Sequence, residues 1–430
     1  MVSIPFIYFG LLLLHQLRKN RWQIDIASFT LVIYTVSSFF AILIDVFDLR
    51  SMDTRNYEIT PLATITYCGL LTMCIWPFMK YSNLMIKEIR PLHNVSILKF
   101  FAWLFFIYFL LNLVMSFGDI VNVVTSDDLN KIRGDHYKGD DTERWLSKLS
   151  PSVRIPFIIL NLISGASWIF IFLAFYMIVI QKAEAKYGFM YIIASFSGVL
   201  GNMLDAGRSA MVYWIIAFIA CFLFFKPYMT TKQKKTVVFF STVIGVCFIA
   251  FLAAVTISRF GERDAGNLSG TQGGLISYMG QSFVNFCYFW DTFNCPLPTL
   301  YVLFPFTHKL LGSPIDGAVD LQGTLTMLSG KELGVFYTFI GQIATTSHNF
   351  VAVIYCILLC TISLLTLTKL KRLNRCRIST IYLYMLFSSI LFLGLFGHYY
   401  AYVGKTTSVI FFLLCFKLME SQNKSCGNNR

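Results

Sequence analysis

Residues 189–225 read FMYIIASFSGVLGNMLDAGRSAMVYWIIAFIACFLFF. Two apolar runs, Phe189 to Met203 and Ala210 to Phe225, flank the short stretch Leu204-Asp205-Ala206-Gly207-Arg208-Ser209. An acid and a base are costly within lipid and cheap at its edge. The stretch therefore reads as two membrane helices joined by a tight turn, with Arg208 at the water–lipid boundary.

The composition extends this reading to the whole chain. Of 430 residues, 56% are hydrophobic and only 13% charged, where a soluble domain averages roughly 25% charged. Continuous apolar runs of about 15 to 22 residues suit helical spans and lack the alternation of a transmembrane β-barrel. The expected fold is an all-α polytopic membrane protein, one integral domain over residues 1–430. Its eleven expected spans are Val2–Leu17, Ile26–Ile44, Thr60–Met79, Ile97–Phe117, Phe157–Ile180, Phe189–Leu204, Ser209–Phe225, Thr236–Ile257, Asn349–Leu367, Ile378–Phe396 and Thr406–Leu418.

Charge orients these spans. Arg18-Lys19-Asn20-Arg21, Lys80 to Arg90, Lys182 to Lys186, Lys226 to Lys235 and Lys369 to Arg377 occupy every second connection. Short basic connections belong in the cytoplasm. The N-terminus is thus expected outside and the C-terminus inside. In the first run the charge follows the apolar residues, as in a retained helix and unlike a signal peptide. The net charge of +13 is spread over these connections, so no nucleic-acid partner is expected. Most of the eleven cysteines lie in apolar runs and no CxxC occurs; they read as small apolar residues. Cys287 and Cys295 share one outward loop, either as a pair or, the preferred reading, as free thiols.

Two outward connections are long, 118–156 and 258–348. The first mixes both charges and reads as a solvated cap. The second is Gly-rich at its start and carries Tyr278, Phe283, Phe286, Phe289 and Trp290. Leu275–Trp290 suits an interfacial helix or a re-entrant hairpin, and Pro298 and Pro305 argue against a span at Leu297–Leu311. Loops of this length are often functional.

Several residues suit chemistry on an anionic lipid. A guanidinium grips phosphate bidentately, so Arg208 reads as a phosphate ligand with Asp205 beside it; the plainer reading is an interfacial anchor. Arg259 and Arg263 lie four residues apart and share a face if the helix extends, unless Glu262 and Asp264 simply pair with them. His348 is placed as a general base, with Asn349 to orient its ring or a sugar; His308 and His398 rank behind it. No GxxxxGK[ST], HExxH or Cys/His cluster occurs, so neither a metal nor a soluble cofactor is expected. Asp127-Asp128 and Asp140-Asp141 are the outward acidic pairs.

Asp205-Ala-Gly-Arg-Ser-Ala210 resembles the Gly-Arg turn of O-antigen polymerases, the Wzy-type oligosaccharide repeat-unit polymerases. Gly334 to Gly341, with Tyr337-Thr338, resembles the end of that family's large periplasmic loop. His348-Asn349 is similar to the His-Asn of O-antigen ligases, although Phe350–Leu359 lacks the ligases' downstream glycine. The resemblance implies a metal-independent glycosyltransferase of the bacterial inner membrane, its active site facing the periplasm. Its substrate would be undecaprenyl-pyrophosphate-linked oligosaccharide, polymerised into O-antigen or capsular polysaccharide with a chain-length regulator as partner. Arg208, with Arg259 and Arg263, would stabilise the departing pyrophosphate. His348 or a carboxylate (Asp205, Glu262 or Asp264) would accept the proton of the attacking hydroxyl. The alternatives are an O-antigen ligase and a lipid-linked oligosaccharide flippase.

Overall fold

The computed structural model describes all residues except 52, 126–149, 205–207, 261–263, 266–267, 314, 316, 373–374 and 428–430. Its helices, in chain order, are α1 Ser3–Lys19, α2 Ile26–Val46, α3 Pro61–Lys80, α4 Ser96–Met115, α5 Phe117–Thr125, α6 Pro151–Ser164, α7 Ser167–Phe175, α8 Ala185–Ala194 and α9 Ser197–Leu204. There follow α10 Ser209–Phe225, α11 Thr231–Phe260, α12 Gly270–Thr292, α13 Pro305–Leu310, α14 Ala318–Ser329, α15 Thr338–Thr346, α16 Asn349–Arg372, α17 Ile378–Phe392 and α18 Val403–Gly427. Strand among the described residues is confined to two-residue pieces. Among the described residues six helical stretches are long and apolar enough to cross a membrane, Ile26–Val46, Pro61–Met85, Ser96–Met115, Ala185–Leu204, Ser209–Tyr228 and Asn349–Lys369. The bent pair α6–α7 makes a seventh if counted as one span. This is the pattern of an all-α membrane-embedded protein.

The chain divides into two compact units. The first comprises Met1–Glu88, Phe260–Cys376 and Thr380–Val403. Its helix starts are written locally. Asp25 accepts Ser28 N–H at 2.7 Å and caps α2; Thr60 caps α3 through Ala63 N–H, with Pro61 in the first turn. Such caps satisfy the donors that a helix start leaves open. Lys19 Nζ reaches Met79 O, and Thr368 Oγ1 bonds Tyr81 OH at 3.4 Å. The basic ends of α1, α3 and α16 therefore lie at the same end of this unit.

The aromatic segment expected at the interface is instead α12, a helix packed along α2 and α3. Tyr67 of α3 meets Phe283 edge-on at 5.0 Å and Phe286 at a tilt at 5.2 Å. Asp291 accepts Thr60 Oγ1 at 2.7 Å, so α12 and α3 run antiparallel. Close approach to α2 depends on Gly280, where a Cβ would stand 2.4 Å from Phe40 C. Cys287 and Cys295 are free and buried.

The run expected as Ile378–Phe396 is helical only to Phe392. Beyond it the chain meets the buried short helix α15, where Phe339 N–H donates to Gly394 O at 2.7 Å. Thr338 opens α15 at φ 58, a left-handed conformation that a β-branched residue holds only under constraint. All nine residues Thr338–Thr346 are buried. Irregular backbone at membrane depth is tolerated where protein surrounds it.

The second unit comprises Ile89–Arg259, Arg377–Ser379 and Gly404–Arg430. Phe105, Phe170 and Phe412 form its aromatic centre, with centroids 4.8 to 6.1 Å apart. Tyr191 OH donates to Leu98 O at 2.6 Å and ties α8 to α4. The expected span Phe157–Ile180 is broken, α6 and the helix after it meeting at 69°. The break leaves Ala166 N–H without a helical acceptor, and Ser408 Oγ of α18 takes it at 3.2 Å. Kinks of this size need such an identifiable partner.

Candidate functional site

In the second unit the candidate site is the mouth of α10. Helix α9 ends at Leu204 and α10 begins at Ser209, as the apolar pattern requires. Arg208 is the N-cap residue of α10 and only 7% exposed. Asn202 Oδ1 accepts Ala210 N–H at 3.1 Å and caps α10 from the preceding helix. Below this turn Trp214 donates to Ser195 Oγ at 2.7 Å and stacks between Phe196 and Phe218 at 4.8 and 5.2 Å. The rigid aromatic column fixes where α10 begins, and so where Arg208 stands. The first turn points N–H groups and the positive end of its dipole outward along the axis, which together with a guanidinium suits an anion.

Lys405 is a basic side chain that the sequence reading passed over. Its Nζ lies 5.5 Å from the Tyr213 ring centroid, so it belongs to the first turns of α10. The available signal was that Gly397–Lys405, an expected outward connection, holds one lysine and one histidine and no acid. Asp205, Glu262 and Arg263 lie outside the described residues. Arg259 sits on the last turn of α11, and Asp264 opens a two-residue hairpin strand paired with Ser269.

His348 and Asn349 belong to the first unit, at the junction of α15 and α16. His348 is exposed, with no hydrogen-bond partner for its ring among the described residues. Asn349 does not orient it: its Nδ2 donates to Trp290 O at 2.9 Å and fastens α16 to the end of α12. His348 is thus free to meet a ligand but is not held in one tautomer.

The same unit holds a buried polar centre that sequence reading ranked low. His398 is 5% exposed; its Nε2 lies 3.1 Å from Tyr355 OH, and its N–H donates to Gln342 Oε1 at 2.6 Å. Ser389 Oγ and Tyr400 OH share a hydrogen bond beside it. Gly397, at φ 158, lets the chain pass, since a Cβ there would meet Gln342 Oε1 at 2.7 Å. His308 meets Tyr301, ring to ring at 5.7 Å. Among the described residues no three His, Cys, Asp or Glu side chains are placed to hold a metal ion.

The chain matches no family model, no curated protein and no solved structure.

Proposed function

We propose that this chain polymerises undecaprenyl-pyrophosphate-linked oligosaccharide repeat units into O-antigen or capsular polysaccharide at the outer face of the bacterial inner membrane. The observation that carries the proposal is the burial of Arg208 at the N-terminus of α10. A guanidinium and the positive end of a helix dipole at one helix mouth fit a pyrophosphate leaving group. Lys405, above Tyr213, adds a basic side chain to that neighbourhood; Arg259 and Arg263 are proposed from sequence as further contacts. His348, exposed and uncommitted, is the proposed general base, with Asp205, Glu262 and Asp264 as the carboxylate alternatives. The eleven crossings, the periplasmic placement of the site and the chain-length regulator belong to the same proposal.

Stably expressed Arg208→Ala in a strain lacking the native copy tests it. The expected product is lipid carrying a single repeat unit, read as the loss of the polysaccharide ladder on a gel. A full-length ladder refutes the proposal.

A second reading, transport of the lipid-linked oligosaccharide, is favoured by the centre around His398. Broken helices with buried polar groups are a recurring feature of transporter sites. That reading expects no surface-exposed repeat unit at all in the deletion strain, where the polymerase reading expects single units at the surface.

A further inference from the structure

The connection between α2 and α3 lines an open cleft of about 400 Å³, with Asp45, Arg50, Arg55, Asn56, Tyr57 and Glu58 on its walls beside Ile59, Met1 and Val2. It lies in the first unit, at the end opposite Lys19 and Lys80. Its volume falls within the usual range for small-molecule sites.

The walls are fixed by bonds that leave the Asn56 and Glu58 side chains open. Arg50 is the floor: it reaches Asp45 Oδ1 at 2.5 Å and Tyr57 O at 2.6 Å, with its side chain 13% exposed. Tyr57 OH donates to Asp291 Oδ2 at 2.5 Å, and Thr60 donates to the same oxygen. Burial first, then the Asp291 carboxylate, pushes the Tyr57 phenol well above its usual range, so it stays a donor. Asp53 Oδ2 accepts Glu332 N–H at 3.1 Å and ties the loop down a third time. Within this frame Asn56 and Glu58 are exposed and their side chains bond to no described residue. Preorganised walls with uncommitted polar groups lower the ordering cost of binding.

Charge selects the ligand. Arg50 is paired with Asp45 and Arg55 with Asp48, so neither guanidinium is left over for a pyrophosphate. Carboxylate, amide and guanidinium together offer acceptors and donors a few ångströms apart, which is what vicinal hydroxyls satisfy, each being donor and acceptor at once. We propose that this cleft binds a neutral glycan, the sugar portion of an acceptor repeat unit. The inference rests on the polymerase reading and names a sugar subsite for it, separate from the phosphate subsite at Arg208.

The test is saturation-transfer NMR on the full chain in nanodiscs. The probe is the repeat-unit oligosaccharide released by mild acid from the host's own surface polysaccharide. Transfer to the sugar ring protons is expected with the unaltered chain and with Arg208→Ala. In the double variant Asn56→Ala, Glu58→Ala binding weakens about tenfold, as when a ligand loses charged hydrogen bonds. Both substitutions are on exposed loop positions, and an unchanged melting curve shows that the fold persists. No transfer with the unaltered chain, equal transfer in the double variant, or displacement by inorganic phosphate overturns the glycan site. A polysaccharide ladder that survives Arg208→Ala overturns the polymerase reading alone, so the two failures are distinct.

Discussion

Gln342 Oε1 accepts the backbone N–H of His398 at 2.6 Å, joining the short helix α15 to the chain beyond α17. Both residues are buried. Where α17 stops at Phe392, the backbone groups that follow need new partners. Phe339 N–H donates to Gly394 O and Gln342 Oε1 accepts His398 N–H, so α15 and the chain beyond α17 satisfy each other's backbone groups.

Replacing Gln342 with Leu removes the acceptor and strands a buried N–H. An unsatisfied buried donor costs about 1–3 kcal/mol. Gln342→Leu is expected to lower the thermal midpoint in detergent, read by tryptophan fluorescence, while Gln342→Glu keeps an oxygen in place and loses less. Equal midpoints for Leu and the native residue would show that the bond contributes nothing.

Gly280 makes a second stability prediction with a built-in control. A Cβ there meets Phe40 C at 2.4 Å and Ala41 N at 2.6 Å, and backbone atoms of α2 cannot swing aside. Overpacking of this kind costs about 1–3 kcal/mol. At Gly69, inside α3, an added Cβ meets nothing within 4 Å; Ala is the better helix former by about 1 kcal/mol. Gly280→Ala should therefore melt lower than the native chain and Gly69→Ala the same or higher. The reverse order would remove α12 from its place against α2.

Much of the helix set was legible because apolar run length is a direct consequence of bilayer thickness. Ser209–Phe225 matches its expected span to the residue, and the helix before it ends at Leu204, where its expected span ends. Helix α12 was not legible as a bundle helix. Gln281, Ser282, Asn285 and Asp291 dilute its apolar signal, and only the fold shows their use, as when Asn285 donates to Phe336 O at 3.0 Å. The centre at His398 was hidden for a different reason. Its partners Tyr355 and Gln342 stand 43 and 56 residues away in sequence, and no local pattern announces such a convergence. At Asn349 the residue was found and its role was not: its amide is engaged by Trp290 O.

Cys376 gives a chemical check on the basic connection before α17. Burial pushes its thiol up to about 11, and Arg375, which would pull the other way, turns to Glu88 Oε2 at 2.7 Å. A raised thiol pKa favours the neutral form, and only the thiolate is nucleophilic. At pH 8 the thiolate fraction is then about 0.1%, against tens of per cent for a free cysteine near its ordinary pKa of roughly 8.5. Iodoacetamide labelling followed by peptide mass spectrometry should find Cys376 at least tenfold slower than in the denatured chain. Its rate should climb with pH until about 11. Labelling at the denatured rate would mean that this connection is open.

His348 and Asn349 are adjacent, and the structure assigns them opposite kinds of consequence. His348 is exposed, so His348→Ala removes no ring hydrogen bond among the described residues. If it is the general base, its loss lowers polymerisation by about 10²- to 10⁴-fold with an unchanged melting curve. Asn349→Ala breaks the 2.9 Å bond to Trp290 O, leaves a part-buried carbonyl open, and costs about 1 kcal/mol. The expected pattern is a slow but stable His348 variant and a less stable Asn349 variant with smaller loss of rate. In vitro polymerisation of purified lipid-linked repeat units, measured beside thermal unfolding, separates the two. A His348→Ala chain that polymerises at the native rate moves the base to a carboxylate, and Asp205→Asn is then the variant whose rate should collapse.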